Sequence, residues 1–165
     1  MNDYREELVG NYPGWRPDKD GRLALLILID QFPRKLFRGT AKAFATDGNA
    51  LLIVKEIMDD QQLYDSYTIY EKMFILFALA HSEYASDTSR CLAEFEKLDQ
   101  QTKENHPESY NGGSSRLTKI WINVTKGHDE VIQKFGRDLC RNAVLGRENT
   151  LEEEEYLKSA KTYGQ

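Results

Sequence analysis

The sequence predicts an all-α protein of about six to seven helices that pack as antiparallel hairpins, in a bundle or in a stack. Three observations lead to this prediction. Apolar residues recur mainly at intervals of three and four, and the strict alternation that is typical of strands is scarce. Only four prolines, together with clusters of glycine and polar residues, divide the 165 residues into segments of helical length.

Length and composition indicate one domain that spans residues 1–165 and buries a hydrophobic core, since 40% of the residues are hydrophobic. The 27 acidic residues outnumber the 22 basic ones, which argues against binding to a nucleic-acid backbone. The longest apolar run, Leu23 to Ile29, is too short to cross a membrane, and no leader sequence is recognised. Cys91 and Cys140 lie far apart, so a reducing, cytoplasmic compartment is expected.

The first half of the chain contains three predicted helices. A short helix is expected at Asp3–Val9, ahead of a loop rich in proline and glycine. The next, at about Gly21–Gln31, is apolar on every side and should end before Pro33, because a residue that precedes proline disfavours the α conformation. The third covers about Thr46–Asp59 with one apolar face, and the segment Asp60–Ser66 is expected to be a loop.

The second half of the chain contains four predicted helices. A long loop at about Lys103–Ser115 separates the second of these helices from the third. The first and the last of these helices open with the sequence Thr-x-x-Glu, which is typical of a capping box. The third has the clearest apolar face of the whole chain. The four helices are expected at about Thr68–Ala80, at about Asp87–Gln101, at about Arg116–Phe135, and from Thr150 onwards.

The unusual polar residues follow three of these helices. If successive helices alternate in direction, the segments that follow the second, fourth and sixth helices meet at one end of the molecule. We therefore expect these residues to form one cluster, joined by His128 from the apolar face of the sixth helix. The predicted ligand-binding residues are Asp30, Arg34, Arg38, His81, Glu83, His128, Arg137, Arg141, Asn142 and Arg147.

Two interpretations of this cluster are open. In the first, the role is structural: Asp30 and Glu83 lose water at the edge of the core and need cations, and the arginines supply them and fasten the loops together. In the second, arginines in excess of carboxylates leave a positive pocket. The protein would then be a non-catalytic binding domain for an anionic small molecule or an acidic peptide.

Two further hypotheses belong to other classes of function. A small enzyme could use His81 and Glu83 as an acid–base pair. A protein–protein scaffold would need an exposed aromatic patch, for which the candidates are Tyr64, Tyr67 and Tyr70. No dinucleotide, phosphate-loop, nucleophile-elbow or zinc signature is recognised in the sequence, so neither a cofactor nor a metal is predicted.

Three motifs stand in a characteristic order along the chain. They are Leu26-Ile27-Leu28-Ile29-Asp30-Gln31-Phe32-Pro33-Arg34 with its continuation to Asp47, then His81-Ser82-Glu83, then Phe135-Gly136-Arg137 with Arg141-Asn142-Ala143-Val144-Leu145-Gly146-Arg147. In these motifs and their order, the sequence resembles, from about Leu23 to Leu157, the bacterial and eukaryotic family catalogued as domain of unknown function 924. The resemblance implies a tetratricopeptide-like (TPR-like) α-α superhelix, and it implies no activity.

The chain departs from the family pattern in two places. Members of the family usually have Phe or Tyr, then Pro and His, where this chain has Asp138-Leu139-Cys140. Members also tend to carry an aromatic-rich segment ahead of the region that matches Met1 to Tyr12, so a shortened N-terminal part is expected.

Overall fold

The computed structural model describes residues 14–105 and 113–160, which form seven α-helices and two short 3-10 helices and contain no strand. The all-α prediction is confirmed. The helix expected at Asp3–Val9 lies outside the described residues. The helices are α1 (Lys19–Leu36), α2 (Asp47–Asp59), α3 (Gln61–Ser66), α4 (Ile69–Ala80), α5 (Ala85–Asn105), α6 (Gly113–Phe135) and α7 (Leu151–Ser159), with 3-10 helices at Ala41–Phe44 and Leu139–Arg141.

Helix α1 does not end before Pro33, as expected, but continues one turn beyond it to Leu36. Proline has no N–H to donate, so the carbonyl of Ile29 loses its partner within the helix. The Thr46 hydroxyl donates to that carbonyl instead, at 2.5 Å. Downstream of Pro33 the helical pattern resumes, and the Phe37 amide donates to the Pro33 carbonyl at 2.9 Å. A hydroxyl from another part of the chain therefore replaces the missing donor, and the helix survives its proline.

The segment expected to be a loop between Asp60 and Ser66 is helix α3, so that prediction was wrong. The Asp60 side chain caps the helix by accepting a hydrogen bond from the Leu63 amide at 3.0 Å. Tyr64 points into the protein and is only 3% exposed. A capping carboxylate and a buried aromatic ring therefore stabilise helix α3, which is about one and a half turns long.

Both predicted capping boxes are confirmed, at Thr68 before α4 and at Thr150 before α7. The loop expected at residues 103–115 is shorter than predicted, because α5 continues to Asn105 and α6 begins at Gly113. Thr102, near the end of α5, is buried, and its hydroxyl donates to the Leu98 carbonyl at 2.7 Å. A polar residue near the end of a helix is here part of the packing.

The hydrophobic core is formed mainly by α1, α2, α4 and α5, and α6 packs against it through Trp121 and Ile122. Within the described part of the chain, no helix combines the length and the apolar character needed to cross a membrane. The fully buried large side chains of this core include Leu25, Leu26, Ile29, Ile53, Val54, Ile57, Ile75, Leu76, Leu79 and Phe95.

Helices α1 and α4 run side by side in the same direction. At their beginnings, Lys19 forms an ion pair with Glu71 at 3.3 Å. At their far ends, Asp30 lies 2.9 Å from the Nδ1 atom of His81, which is the residue after α4. The two positions that the sequence placed at one end of the molecule are therefore in contact.

Helices α5 and α6 form the most extensive helix pair, and they run antiparallel. Thr88, near the beginning of α5, donates to Asp129 near the end of α6 at 2.7 Å. Thr118, near the beginning of α6, donates to Asp99 in the second half of α5 at 2.6 Å. The end of α6 consequently lies beside the beginning of α5, and the segment that follows α6 reaches the cluster around His81.

Candidate ligand-binding site

The Asp47 carboxylate, in the first turn of α2, is held by two arginines from distant parts of the chain. Arg34 of α1 donates from Nη1 and Nη2 to the two oxygens of Asp47, at 2.9 and 2.8 Å. Arg141, 94 residues after Asp47, donates to Oδ2 of the same carboxylate at 2.9 Å. Arg141 is buried and also donates to the Asp138 side chain at 3.0 Å and to the His81 carbonyl at 2.7 Å.

Two more arginines, both in the segment between α6 and α7, bind glutamates. Arg147 binds both oxygens of Glu83 at 2.9 Å, while the Glu83 Oε1 also accepts from the Asp138 amide at 2.7 Å. Arg137 binds both oxygens of Glu153 at 2.8 and 2.6 Å. These hydrogen bonds hold the pKa of Glu153 at about 2, below its usual value. We call the four arginines Arg34, Arg137, Arg141 and Arg147, with the carboxylates that they bind, the loop network.

Asn142 is buried inside the turn that the loop network encloses. Its side-chain amide donates to the side-chain oxygen of Asn149 at 2.7 Å, and its backbone carbonyl accepts a hydrogen bond from the backbone amide of Arg147 at 2.8 Å. Gly146 has a φ of +66°, a left-handed conformation that favours glycine. Asn142 therefore holds the shape of the chain between α6 and α7.

Beside the loop network lies a cavity of about 500 Å³, the main cavity, between α1, α4 and α6. One side of it is formed by the aromatic wall, which consists of Phe44, Phe77 and Trp121. The ring centroids of Phe77 and Trp121 lie 4.1 Å apart. The Phe44 ring lies 4.6 Å from the Arg141 guanidinium, so the loop network positions part of the aromatic wall. The remaining lining residues include Gln31, Arg34, Lys35, Arg38, Ala80, His81, Val124, Thr125 and His128.

The charges that line the main cavity are all of one sign. Among the described residues around it there are three cations and no carboxylate, although the whole chain carries a net charge of -5. Arg34 is bound to Asp47, but Lys35 and Arg38 make no hydrogen bond or ion pair with any residue that the structure describes. Both are exposed, at the last turn of α1 and just after it. We call Lys35 and Arg38 the basic rim.

His81 borders the main cavity, and its Nδ1 atom contacts Asp30, whose side chain is only 2% exposed. Burial alone raises the pKa of Asp30, but the hydrogen bond of His81 and the charge of its protonated form, with the charge of Arg34 at 3.1 Å, outweigh burial and lower that pKa to about 2. Glu83, which the sequence suggested as an acid–base partner of His81, is instead bound to Arg147 and does not line the cavity. That pairing was wrong.

His128 separates the main cavity from a second one of about 130 Å³, which is also lined by Asp138, Cys140 and Tyr156. Burial lowers the pKa of His128, and its imidazole is hydrogen-bonded to the Ala80 backbone. His128 is therefore a neutral ring near neutral pH. It belongs to the walls of both cavities and not only to the apolar face on which the sequence placed it.

Comparisons with known proteins identify the family of this chain. A family model described as "Bacterial protein of unknown function (DUF924)" matches residues 2–161. The chain belongs to the DUF924 family. A solved structure that is similar to this DUF924 chain is that of the protein of unknown function ATU0120 from Agrobacterium tumefaciens, with 27% identity and a TM-score of 0.74. The similarity covers 94% of this chain and 77% of ATU0120. No curated protein matches the chain.

The predicted site residues of this DUF924 protein fall into two groups, although the structure brings them to one end of the molecule as expected. The residues around the main cavity are Arg34, Arg38, His81 and His128. The residues that are buried or bound within the loop network are Asp30, Glu83, Arg137, Arg141, Asn142 and Arg147. For the second group the structural interpretation describes the geometry, and a direct role in ligand binding stays a prediction.

The sequence prediction missed several residues of the site in this DUF924 chain. Lys35 was not singled out, and Asp47, which binds two arginines, was noted only as part of a family motif. Trp121 and Phe77, which line the main cavity, were not predicted as site residues. The available signal was the run of cations in the last turn of α1, which is unusual in an acidic protein.

The aromatic patch that a scaffold would need is not formed by the three tyrosines proposed for it. Tyr64 and Tyr67 are each 3% exposed, and only Tyr70 is on the surface. The Tyr67 hydroxyl donates to the Lys19 carbonyl at 2.9 Å and so joins the beginnings of α1 and α4. That assignment of the tyrosines was wrong.

Proposed function

We propose that this protein is a binding domain for a small organic anion that has an aromatic or apolar part, and that the ligand occupies the main cavity. The observation that carries this proposal is the basic rim: two cations without described partners at the mouth of a cavity that no carboxylate lines. An anion bound there would meet attraction without a competing negative charge.

The shape of the cavity supports a small molecule with an apolar body. Its volume of about 500 Å³ lies within the usual range of ligand pockets, roughly 300–1,000 Å³. The aromatic wall offers flat surfaces on which a ring or chain can pack, whereas the basic rim provides donors for an anionic group. Ligand and protein would thus match in both polarity and charge.

Isothermal titration calorimetry with phenylacetate tests the proposal, with phenylacetamide as a neutral analogue of similar shape. We expect phenylacetate to bind about tenfold more tightly than the amide, because only the anion interacts with Lys35 and Arg38. The affinity for phenylacetate should fall as the KCl concentration is raised. The double variant K35A/R38A should bind phenylacetate about tenfold more weakly and should no longer distinguish it from the amide.

Lys126→Ala is the matched control, since Lys126 is an exposed cation on α6 that does not line the cavity. This variant should bind like the unmodified protein. Equal affinity for phenylacetate in the protein and in K35A/R38A would overturn the proposal. So would tight binding of an acidic peptide together with no binding of small anions, because the site would then be a peptide surface.

A further inference from the structure

The position of the proton on His81 follows from its contact with Asp30. The pKa of Asp30 lies far below neutrality, so this carboxylate is ionised and can only accept hydrogen bonds. The Nδ1 atom of His81, 2.9 Å from Oδ1, must therefore be the donor. Gln31 donates to the other oxygen of Asp30 at 2.6 Å, and Arg34 approaches at 3.1 Å, so the carboxylate is held firmly in this orientation.

When Nδ1 carries the proton of a neutral imidazole, the lone pair lies on Nε2. No described residue donates a hydrogen bond to Nε2, and the ring of His81 borders the main cavity. Its side chain is 18% exposed, so a ligand that fills the cavity removes water from this edge of the ring. An acceptor that loses water without gaining a donor weakens binding.

We propose that the ligand carries an O–H or N–H donor which binds Nε2 of His81, so that its chemical class is a hydroxylated or N–H-bearing aromatic acid. This inference rests on the proposed function and adds a specificity-determining residue to it. Lys35 and Arg38 bind the anionic group, the aromatic wall contacts the ring, and His81 selects the donor. Asp30 acts as a positioning residue, because it fixes which nitrogen accepts.

Calorimetry with matched probes tests this inference at a pH above neutrality. The probes are phenylacetate, its three hydroxy isomers and the corresponding methoxy compounds, which keep the oxygen but lack the donor. We expect at least one hydroxy isomer to bind about tenfold more tightly than its methoxy counterpart, which corresponds to one net hydrogen bond. Three isomers are used because the distance between the basic rim and His81 decides which hydroxyl position fits.

His81→Asn is the decisive variant, because its amide can occupy the place of Nδ1 and still donate to Asp30 while nothing replaces Nε2. H81N should keep the melting temperature, and it should bind the hydroxy isomer no more tightly than the methoxy counterpart. His81→Gln, whose amide reaches the place of Nε2, should retain part of that preference.

The outcomes separate the two proposals. If hydroxy and methoxy compounds bind equally well while phenylacetate still binds through the basic rim, the inference about His81 is overturned and the anion-binding function stands. A hydroxyl preference that persists unchanged in H81N would overturn it as well, because another acceptor would be responsible. If none of the probes binds, the proposed function fails, and this inference fails with it.

Discussion

Single side chains of the loop network connect parts of the chain that are far apart in sequence. Arg141 contacts Asp47, Asp138 and the carbonyl of His81, and its guanidinium lies over the ring of Phe44. It is a buried charge with several partners, and its removal leaves Asp138 without its described ion-pair partner and Asp47 with Arg34 alone. Arg141 thus contributes to stability and, through Phe44, to the shape of the main cavity.

Arg141→Ala should lower the free energy of unfolding by about 3 kcal/mol, the usual cost of removing one partner of a buried ion pair. Arg141→Lys should cost less, although its ammonium cannot reproduce the planar set of donors that the guanidinium directs at three acceptors. Urea denaturation followed by circular dichroism measures both values. Arg38→Ala is the control and should change stability by less than about 0.5 kcal/mol. A loss in R141A as small as that in R38A would contradict the burial and pairing described for Arg141.

Asp30 makes stability depend on pH in the acid range. Its pKa is about 2 in the folded protein, below the value of 3.8 for an unperturbed aspartate. A lowered pKa means that the ionised form stabilises the folded state above about pH 4, and that this contribution is lost as the pH falls towards 2. We expect the unmodified protein to lose about 1–2 kcal/mol more than Asp30→Asn does between pH 5 and about pH 2.

The measurement is urea unfolding of both proteins over that pH range. Glu153, whose pKa is also held at about 2, is present in both proteins, so its contribution cancels in the difference. Parallel stability curves for the two proteins would show that Asp30 is not stabilised in its ionised form by His81 and Arg34.

At the scale of single residues, the sequence showed which groups need partners but only some of those partners. Asp30 directly follows the apolar run within α1 and Glu83 follows α4, so their need for cations could be predicted from the cost of burying a charge. Arg34 lies one turn after Asp30 in the same helix, so this pair follows from helical spacing, whereas the pairing of Arg147 with Glu83 depends on the path of the backbone between α6 and α7. Asp47 could not be predicted as the residue that binds both Arg34 and Arg141, because Arg141 lies 94 residues after it and no local pattern shows that the two meet.

At the scale of secondary structure, local signals predicted both capping boxes, whereas the end of α1 and the presence of α3 depend on contacts with other parts of the chain. The two capping boxes depend on four consecutive residues, and both were predicted. The end of α1 depends on Thr46, which lies 13 residues beyond Pro33 and supplies the donor that the proline lacks. Helix α3 depends on the burial of Tyr64, which a sequence without a long apolar pattern does not reveal.

Thr46→Val should cost about 1–3 kcal/mol of stability, because the Ile29 carbonyl is then buried without a donor. The cap of α2 does not confuse this experiment, since the Thr46 hydroxyl makes no capping hydrogen bond. In a Pro33→Ala background the new amide can donate to Ile29 within the helix, and Thr46→Val should cost less there.

A double-mutant cycle measures this difference, and we expect a coupling energy of about 1 kcal/mol between positions 33 and 46. The four proteins are compared by urea denaturation under the same conditions. Equal costs of Thr46→Val in both backgrounds would show that the hydroxyl does not replace the donor that Pro33 lacks.

At the scale of the whole molecule, the sequence predicted the directions of the helices but not the space between them. The alternation of helices brought the ends of α1, α4 and α6 together, as the contact of Asp30 with His81 shows. Whether that end is filled or hollow depends on the sizes and rotamers of side chains from three helices. The rings of Trp121 and Phe77 contact each other in a tilted arrangement, and the main cavity lies beside them.

Because two arginines bind the Asp47 carboxylate, a variant that lacks it can be tested by chemical rescue. Asp47→Ala would remove the carboxylate that Arg34 and Arg141 share, so that each keeps only its second carboxylate, Asp30 or Asp138, and a gap the size of a carboxylate lies between the two guanidinium groups. The Asp47 side chain is 20% exposed, so a small solute can reach the gap. Added sodium formate should therefore raise the melting temperature of D47A more than sodium chloride at the same ionic strength does, and should have no such advantage with the unmodified protein. If formate and chloride act alike on D47A, the two guanidinium groups do not form a common carboxylate site. Asp47 would then not link Arg34 of α1 to Arg141 of the later segment.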